Sequence, residues 1–446
     1  MRIIPFRDIL YWEVQIMHKI TLRNLGPIEN CSINLNELIV LTGPQANGKS
    51  TVAKAVYFFR TIKDDILDMM LRGTTGEKPE KWKVRLTKRL KDKFMQLFGS
   101  SYGMSNDMEA KYEYAPKTYI RVYLKPNYKN NGGPNYVTIE FSQKIGDYLF
   151  ELDSHVFTDM TAAQREREEA KLSELFEDAY ETVFIPAGRS MITLLTTQLN
   201  FIFTSMSESQ KRSIDYCTQR YVELILRLKP SFAHGIEGLL SDQIHLTQKA
   251  FNIGLAKKCK QLIESIIKGR YQYENGEEKL YIGDRQNKQY VKINFASSGQ
   301  QETVWITNIL FYYLLENKPV FLIVEEPESH LYPDSQKLIA ELLALFKSNG
   351  NTGLITTHSP YILGEMNNLI YADVLCNRGV AGVENIIDRA KQLDPKKVSS
   401  YHVCNGVLED AKDGEMGLIR NELIDGASIA ITDECDGLYD LSIEEA

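Results

Sequence analysis

A glycine-rich loop near the start of the chain carries the residues with the clearest chemical meaning. The segment GPQANGKS at residues 43–50 fits the spacing G-x-x-x-x-G-K-[ST], between an apolar strand and a helix-like stretch. Gly43 and Gly48 permit backbone conformations that turn amide groups toward phosphates. Lys49 is expected to reach the β- and γ-phosphates of a nucleotide, and the Ser50 hydroxyl is expected to ligate Mg²⁺. The alternative is a glycine turn that merely opens a helix.

Two adjacent carboxylates form a second feature. The run VFLIVEEPESH at residues 320–330 is typical of a buried strand, and it delivers Glu325 and Glu326 to the strand's carboxyl end. Adjacent strand residues face opposite ways, so the two carboxylates can have different roles. Glu325 is expected to hold Mg²⁺ directly or through water, and Glu326 to orient and deprotonate an attacking water. Alone, the pair fits a solvated strand end equally well; together with the glycine loop it favours nucleotide hydrolysis.

Two weaker features follow along the chain. The segment NFASSGQQE at residues 294–302 places Ser297, Ser298 and Gly299 at a helix start, where free amides and the helix dipole form an anion site. Serine is also a common helix cap, which is the alternative. The segment LITTHSPYI puts His358 after an apolar strand, where it could hydrogen-bond a γ-phosphate or the hydrolytic water. A purely structural histidine is the alternative there.

The order of these segments resembles that of the ABC-type ATPases of the SMC, RecF and OLD group. GPQANGKS resembles Walker A, ASSGQ the signature motif, FLIVEE Walker B with its catalytic glutamate, ESHLYPDSQ the D-loop and TTHSP the switch histidine. EEPESHLYP is typical of the OLD-like branch, and HKITLRNLGPIENCSI resembles the opening strands of RecF-like heads. The resemblance covers residues 17–60 and 280–375, with a pattern of insertion between them.

This resemblance implies a set of site residues for ATP and Mg²⁺. Catalytic roles fall to Glu326, His358 and Lys49, and metal ligation falls to Ser50 and Glu325. The residues that the resemblance implies in nucleotide binding are Gly43, Pro44, Gln45, Ala46, Asn47, Gly48, Lys49, Ser50, Thr51, Ser297, Ser298, Gly299 and Gln300.

The family pattern is incomplete at two points. Ser298 stands where the signature usually has glycine, and no glutamine directly follows VFIPAGRS (183–190), which resembles a segment near the Q-loop; Gln198 is the substitute. In the family, ATP lies between Walker A of one subunit and the signature of another. The resemblance therefore implies a homodimer or larger assembly with composite sites, whose closure on ATP and opening after hydrolysis would move the inserted helices.

Patterning along the chain predicts an α/β fold, namely an ABC-type P-loop ATPase head with an antiparallel β lobe and an inserted helical region. Strands are expected at HKITLRNL, ENCSINLN and ELIVLTG, and one helix is expected over residues 49–71. A basic amphipathic helix follows, with the apolar stripe Trp82, Leu86, Leu90, Phe94 and Leu97. TYIRVYLK, NYVTIEFS and DYLFEL predict an antiparallel meander, and residues 160–270 predict helices.

The same patterning predicts four regions. The head is expected to comprise residues 17–75 and 280–400, the basic helix with the meander 76–158, a helical lobe 159–279, and an acidic segment 401–446. The last stretch, SIAITDECDGLYDLSIEEA, is expected to be a peripheral strand or tail.

Composition limits the classes of protein. The 446 residues are 43% hydrophobic and 25% charged with a formal charge of −7, which fits a globular protein and argues against a general attraction to nucleic acid. The six cysteines are widely spaced with no C-x-x-C pair, so zinc ligation is not predicted. Charges interrupt the opening residues and no apolar run matches a membrane helix, so a cytoplasmic location is expected. Residues 1–16 are either a variable arm or the product of an upstream start.

The sequence suggests that the effector is another protein. The interval between loop and signature is too short for the rods of chromosome-organising SMC proteins and longer than a transporter ATPase needs. OLD nucleases carry a Toprim domain after the ATPase, whereas ITDECDG (431–437) has neither the partner motif nor the length for one. The chain thus resembles the ATPase subunits of two-component phage-defence systems of the PARIS or Septu type. That resemblance implies a phage-derived trigger and a separate effector such as a nuclease.

A RecF-like DNA-repair ATPase is the alternative. It depends on the basic helix, whose candidate phosphate contacts are Lys81, Lys83, Arg85, Lys88, Arg89, Lys91 and Lys93. A solvated helix face balanced by acidic neighbours would explain the same residues. A transporter ATPase is disfavoured by the RecF-like opening strands and by EEPESHLYP.

Overall fold

One large β-sheet organises the computed structural model. The structure describes residues 18–72, 80–126, 136–155, 157, 160–193, 214–246, 251–283, 289–316, 318–414, 416–420 and 422–444. The strands are β1 (His18–Leu25), β2 (Ile28–Leu35), β3 (Leu38–Thr42), β4 (Glu109–Ala115), β5 (Thr118–Lys125), β6 (Tyr136–Phe141), β7 (Glu181–Ile185), β8 (Arg270–Glu274), β9 (Glu277–Tyr281), β10 (Tyr290–Lys292), β11 (Val320–Glu325), β12 (Thr352–Thr356), β13 (Val398–Cys404) and β14 (Val407–Asp410).

Helices cover both faces of this sheet. They are α1 (Lys49–Arg60), α2 (Ile62–Leu71), α3 (Trp82–Phe98), α4 (Gln143–Leu152), α5 (Ala162–Leu175), α6 (Tyr216–Leu228), α7 (Gly235–Leu246), α8 (Ile253–Ile267), α9 (Ser298–Glu316), α10 (Pro333–Ser348), α11 (Pro360–Asn377) and α12 (Glu422–Glu444).

The large sheet has a parallel half and an antiparallel half. Its strand order is β6-β5-β4-β1-β2-β14-β13-β3-β12-β11-β7, and β8–β10 form a separate antiparallel sheet. Strands β13, β3, β12, β11 and β7 run parallel, whereas β2, β1, β4, β5 and β6 pair antiparallel. Because β3, β12 and β11 are parallel neighbours, their carboxyl ends meet at one edge of the sheet.

The parallel half is buried on both sides. Along β3, Leu38 and Val40 belong to one hydrophobic cluster, and Ile39 and Leu41 belong to another. Successive strand side chains point to opposite faces, so the two clusters are the two layers of core that sandwich the sheet. Helix α1 packs in the second cluster, and helices α9, α10 and α11 pack in the first.

Two local expectations in the first third of the chain are corrected. The helix expected over residues 49–71 is two helices, α1 and α2, joined at Thr61, whose hydroxyl donates to the Tyr57 carbonyl at 2.6 Å. DYLFEL lies in α4 rather than in a strand, because Ile145, Leu149 and Leu152 recur at helical spacing and are all buried. The meander is β4–β5–β6, so EAKYEYA supplies the strand that DYLFEL was expected to supply.

Two later segments also differ from expectation. VFI of VFIPAGRS lies within β7, a strand of the large sheet inside the stretch that was expected to be helical. The final segment forms most of α12 rather than a strand or tail. The basic amphipathic helix is confirmed as α3, whose five predicted apolar residues are all buried. The division into four regions stays a prediction, with β7, β13 and β14 now placed in the head sheet.

A buried polar cluster joins the start of β1 to the end of α1. The Tyr112 hydroxyl lies 2.8 Å from His18 Nδ1, and His18 Nε2 lies 3.2 Å from the Glu177 carbonyl oxygen. Arg60 donates to the Asp178 carboxylate at 2.8 Å. Burial first, and then the nearby Arg60 charge, lower the pKa of His18 to about 4. The folded protein therefore holds a neutral imidazole at pH values where an exposed histidine is already protonated.

This cluster predicts a loss of stability in mild acid. Between pH 6.5 and about 4 the unfolded chain takes up a proton at His18 that the folded chain does not, so stability falls as pH falls. At pH 5 the loss from this group is about 2 kcal/mol relative to pH 7. Urea unfolding at both pH values should show that difference shrinking in His18→Gln. His155→Gln, at an exposed histidine, is the matched control and should leave the difference unchanged.

Candidate nucleotide site

The glycine loop lies between β3 and α1, as predicted. Gly43 has φ 136°, and a Cβ there would lie 2.2 Å from the Val403 carbonyl oxygen of β13. Gly48 has φ 104°, and a Cβ there would lie 2.4 Å from Ile28 Cδ1. Both positions combine a left-handed backbone with a close neighbour, so only glycine fits. The loop therefore packs directly against β2 and β13.

The loop presents free donors and a buried cation. Lys49 is 5% exposed, and its Nζ donates to the carbonyl oxygens of Gly43 and Pro44, both at 2.8 Å. Burial lowers the pKa of Lys49, although the Glu326 and Glu328 carboxylates oppose that shift. Within the described chain, no backbone amide of residues 45–48 donates to another residue. The backbone amides and the Lys49 ammonium group thus belong to one loop, and such groups bind phosphate in proteins.

The remaining loop residues frame this pocket. Pro44, Gln45 and Ala46 are exposed, and Ala46 has φ 64°. The Asn47 amide donates to the Gln45 carbonyl at 3.2 Å, and its oxygen accepts from the backbone amide of Asn405 at 3.0 Å. Thr51 lies in the first turn of α1, close to Gly26. The turn between β13 and β14 thus holds the outer side of the loop.

Glu325 ends β11 beside the start of α1. Its carboxylate is buried, hydrogen-bonds to the Ser50 hydroxyl and accepts the Ala187 amide at 3.3 Å through Oε2. Oε1 has no hydrogen-bond partner among the described residues. Burial raises the pKa of Glu325, and the Ser50 hydroxyl, Lys54 and the Ala187 amide only partly offset it. A hydroxyl and an unpartnered buried carboxylate oxygen are hard oxygen ligands, so this pair fits Mg²⁺.

Glu326 turns away from Glu325 because the strand ends between them. Its φ is 44°, and its amide donates to the Thr356 carbonyl at 2.9 Å. One carboxylate oxygen lies 3.3 Å from His358 Nε2, and the other accepts the Ser329 hydroxyl at 3.4 Å. The predicted separation of the two carboxylates is observed, with a left-handed residue rather than strand alternation as its cause. Such a backbone costs about 1–2 kcal/mol for a residue with a side chain.

His358 stands between the loop and this carboxylate. Its Nδ1 lies 3.4 Å from Lys49 Nζ, on the opposite side of the ring from Glu326. Glu328 accepts the His358 backbone amide at 2.7 Å and the Thr357 hydroxyl at 2.8 Å. The structure therefore brings together Lys49, Ser50, Glu325, Glu326 and His358. Glu328 was missed by sequence reasoning; its place two residues after Glu326 in EEPE was the available signal.

The signature segment is built locally. Ser297 caps α9, and its hydroxyl and amide both lie 3.1 Å from Gln300 Oε1, while the Gln300 amide group donates to the Ile267 carbonyl at 2.9 Å. A Cβ at Gly299 would lie 2.7 Å from the His330 carbonyl oxygen, which explains the glycine. Ser297 and Ser298 are exposed. Among the described residues, none of 297–300 hydrogen-bonds to the loop at 43–51 of the same chain.

A buried arginine connects the signature helix to the carboxylates. Arg189 is fully buried and donates to the carbonyl oxygens of Pro186, Glu325 and Glu326 at 2.7, 2.7 and 2.9 Å. Its Nε lies 3.1 Å from the Glu302 carboxylate of α9, which also accepts the Arg189 and Ser190 amides. VFIPAGRS stands out in the sequence, but its pattern predicts no role for Arg189. The available signal was a charged residue four positions after the end of a buried strand.

This contact predicts a strong energetic coupling. Arg189→Met should lower the free energy of unfolding by about 3–5 kcal/mol, because it removes the cation beside the buried Glu302 carboxylate and the donors to four carbonyl oxygens, including that of Glu302. In a double-mutant cycle, adding Glu302→Met should cost less than its single effect, with a coupling of about 1–3 kcal/mol. Urea unfolding measures both values.

The exposed pair Arg165–Glu169 is the matched control for this cycle, since its N–O distance is a comparable 2.7 Å. Its coupling should be at most about 0.5 kcal/mol. Equal couplings for the two pairs would contradict the role given to Arg189.

Other predicted residues are placed as follows. Gln198, the substitute for the Q-loop, lies outside the described residues. In the basic helix, Arg89 pairs with Asp65 and Asp68, and Lys93 pairs with Asp65 at 2.6 Å while 4% exposed, so these two cations are already neutralised. The acidic ITDECDG segment is part of α12. No helix in the described part of the chain is both long and apolar enough to traverse a bilayer.

The loop, the two carboxylates and the parallel sheet that positions them define a P-loop ATPase of the α/β class, which confirms the predicted fold class. A family model described as "AAA ATPase domain" matches residues 16–363, and the chain belongs to that family. The family is one of nucleotide-binding ATPases, which agrees with the predicted use of a nucleotide. No curated protein matches this chain at a significant level.

Among solved structures, the chain is similar to three SMC head domains. An SMC head bound to the C-terminal winged-helix domain of ScpA has a TM-score of 0.40 and 10% identity, covering 88% of this chain and 96% of that one. The SMC head of Thermotoga maritima has a TM-score of 0.36 and 12% identity over 89% and 99% of the two chains. The Pyrococcus furiosus SMC head bound to the C-terminal domain of ScpA has a TM-score of 0.38 and 10% identity, covering 88% of this chain and 95% of that one.

Proposed function

We propose that the chain binds and hydrolyses ATP with Mg²⁺. The supporting observation is the convergence at one sheet edge of the glycine loop, the Ser50–Glu325 pair and the contact between Glu326 and His358. Residues 43–51 would hold the phosphates, with Lys49 as their main cation. Ser50 and Glu325 would hold Mg²⁺, which neutralises phosphate charge when bound.

Glu326 and His358 have different roles in the proposed hydrolysis. Glu326 is the half-exposed carboxylate of the pair and makes no ion pair with Lys49, so it can accept a proton from water. His358 lies between Glu326 and Lys49, where it can donate a hydrogen bond to a phosphate oxygen or orient the water. The Glu328 carboxylate positions His358 by accepting a hydrogen bond from the His358 backbone amide.

A homodimer or larger assembly with composite sites forms part of this proposal. Ser297 and Ser298 are exposed at the amino end of α9, where their helix carries a positive partial charge. Since the hydrogen bonds of this segment do not reach the loop of its own chain, Ser297–Gln300 would contact the nucleotide held by a second copy.

Substitutions at Lys49 and Glu326 should separate binding from hydrolysis. Lys49→Ala should weaken ATP binding by about tenfold or more, because it removes the cation of the loop. Glu326→Gln should keep ATP binding and lower hydrolysis by about 100-fold or more, because it removes the base. Fluorescent-nucleotide titration and phosphate release measure the two effects, and the same phenotype from both variants would contradict the assigned roles.

A mixing control tests the composite site. Ser297→Arg should block the signature and Lys49→Ala the loop, so each variant alone should be inactive. A mixture of the two contains dimers with one intact composite site and should recover hydrolysis. Without recovery, the nucleotide site lies within one chain.

We propose further that this cytoplasmic ATPase controls a separate effector protein, such as a nuclease, in bacterial antiphage defence, in response to a phage-derived trigger. The resemblance of EEPESHLYP and VFIPAGRS to the OLD-like branch supports this function. The buried Arg189 supplies a route for coupling, because it ties the Glu326 backbone to the signature helix. A change at the hydrolytic carboxylate would thereby reach the surface that meets another subunit.

Native-level expression with the genomic neighbours tests this role. Glu326→Gln should trap the ATP-bound assembly, so that a neighbour-encoded protein copurifies stoichiometrically at high salt after nuclease treatment. Cells that lack the chain should plate susceptible phages with higher efficiency, and Lys49→Ala should not restore protection. Copurifying nucleic acid without a protein partner, together with normal phage plating, would favour the DNA-repair ATPase instead.

A further inference from the structure

Strand β7 forms one outer edge of the large sheet. In the described part of the chain the strand order ends at β7, whose one pairing is with β11. The Glu181 amide donates to the Pro319 carbonyl at 3.0 Å, so the parallel ladder uses the backbone groups of every second residue from Glu181 onward. The alternate residues Thr182 and Phe184 therefore turn their amides and carbonyls away from β11.

A side chain already pairs with the start of this edge. Lys63 of α2 donates to the carbonyl oxygen of Tyr180 at 2.6 Å, two residues before Thr182. In the described part of the chain, no hydrogen bond reaches the backbone of Thr182 or Phe184 from another element. Both residues line a cavity of about 750 Å³ whose walls include α2, α5 and α6. Backbone groups at a covered edge need hydrogen-bond partners, and a further strand would supply them.

The cavity walls also hold two charges without partners. Most charged residues of the walls are paired, as Arg220 is with Glu223 at 2.9 Å. Asp64 and Lys318 line the same cavity, and their side chains make no hydrogen bond or ion pair with any residue that the structure describes. Although the Asp64 carboxylate is open to the cavity, burial between its walls raises the pKa of Asp64 to about 6. A cation brought by a ligand would stabilise this carboxylate.

The helices around the cavity select a single extended segment as its occupant. Helix α2 packs in the core layer that contains α1, and α6 packs mainly in the opposite layer, so the two helices flank the edge of β7. One strand can enter between them, whereas a sheet cannot. Every strand that the structure describes belongs to one of two sheets. The described part of a second copy thus offers no free strand, which favours a separate protein as the source.

We propose that this cavity binds an extended segment of a separate protein, which adds a strand to β7. Backbone groups of the segment pair with Thr182 and Phe184, a basic side chain meets Asp64, and an acidic side chain meets Lys318. The cavity lies at the carboxyl end of α1, about 16 Å along the helix axis from the nucleotide loop at its amino end. Docking therefore needs no nucleotide, and it can fail without affecting the proposed hydrolysis.

Synthetic peptides test this docking on the full chain without nucleotide. The probes are fluorescent peptides of about eight residues in which Val and Thr alternate, with one Arg and one Asp placed at every pair of positions. Fluorescence anisotropy should identify a best binder in this set. Asp64→Asn should weaken its binding about tenfold, and replacing the peptide Arg by citrulline should weaken it equally. Both changes together should cost little more than either one, because they remove the same contact.

A second series tests the addition of a strand. Methylation of single peptide amides should abolish binding at alternate positions and spare it between them, because only every second amide of a strand faces its neighbour. Binding of the best peptide should also slow hydrogen exchange over residues 181–185, and this readout does not depend on any substitution in the protein.

The matched control is Asp242→Asn, since Asp242 is exposed, forms no ion pair in the described structure and does not line the cavity. This change should leave peptide binding unaltered. The proposal is overturned if no peptide of the set binds, if Asp64→Asn binds the best peptide as tightly as the unchanged chain, or if methylation acts alike at every position. A segment of this chain that itself filled the cavity would also block the peptides, and that result counts against the proposal.

Discussion

The parallel pairing of β3, β12 and β11 is the constraint on which the site depends. Val40 pairs with Ile355 and Val324 also pairs with Ile355, so the three strands end level with one another. That register places the loop after Thr42, the carboxylates at Glu325 and Glu326, and His358 after Thr356 within reach of each other. Glu325, Glu326 and His358 each lie within two positions of a rigid strand, and Lys49 and Ser50 follow β3 through the short glycine loop.

Burial on both faces maintains this register. A slip of one residue in β3 would exchange Leu38 and Val40 with Ile39 and Leu41 between two tightly packed layers, and both layers resist such a change. Polar contacts across the sheet edge also fix the backbone at the strand ends. Arg189 holds the backbone of both carboxylates from below, and Glu302 fixes the orientation of its guanidinium group. The chemistry at the edge and the helix that presents the signature are thus one connected unit.

Much of the site could be predicted from the sequence, because the loop, the carboxylates and the histidine each follow a continuous apolar strand. The contacts of Glu328 and Arg189 could not, because they depend on how separate segments meet in three dimensions. The prediction of helix or strand was wrong where the local sequence pattern was ambiguous. DYLFEL fits a short strand as well as a helical turn, and only its packing as α4 decides between them. SIAITDE has β-branched residues and still lies in α12, since local propensity is a weak prior.

The position of β13 has a consequence for synthesis of the chain on the ribosome. The Val403 carbonyl of β13 packs so close to Gly43 that it excludes a side chain there, and β3 lies between β13 and β12, which both come from the last quarter of the chain. The loop is translated early, but its walls emerge only near the end. On a nascent chain the loop therefore lacks these neighbouring strands until β13 leaves the exit tunnel.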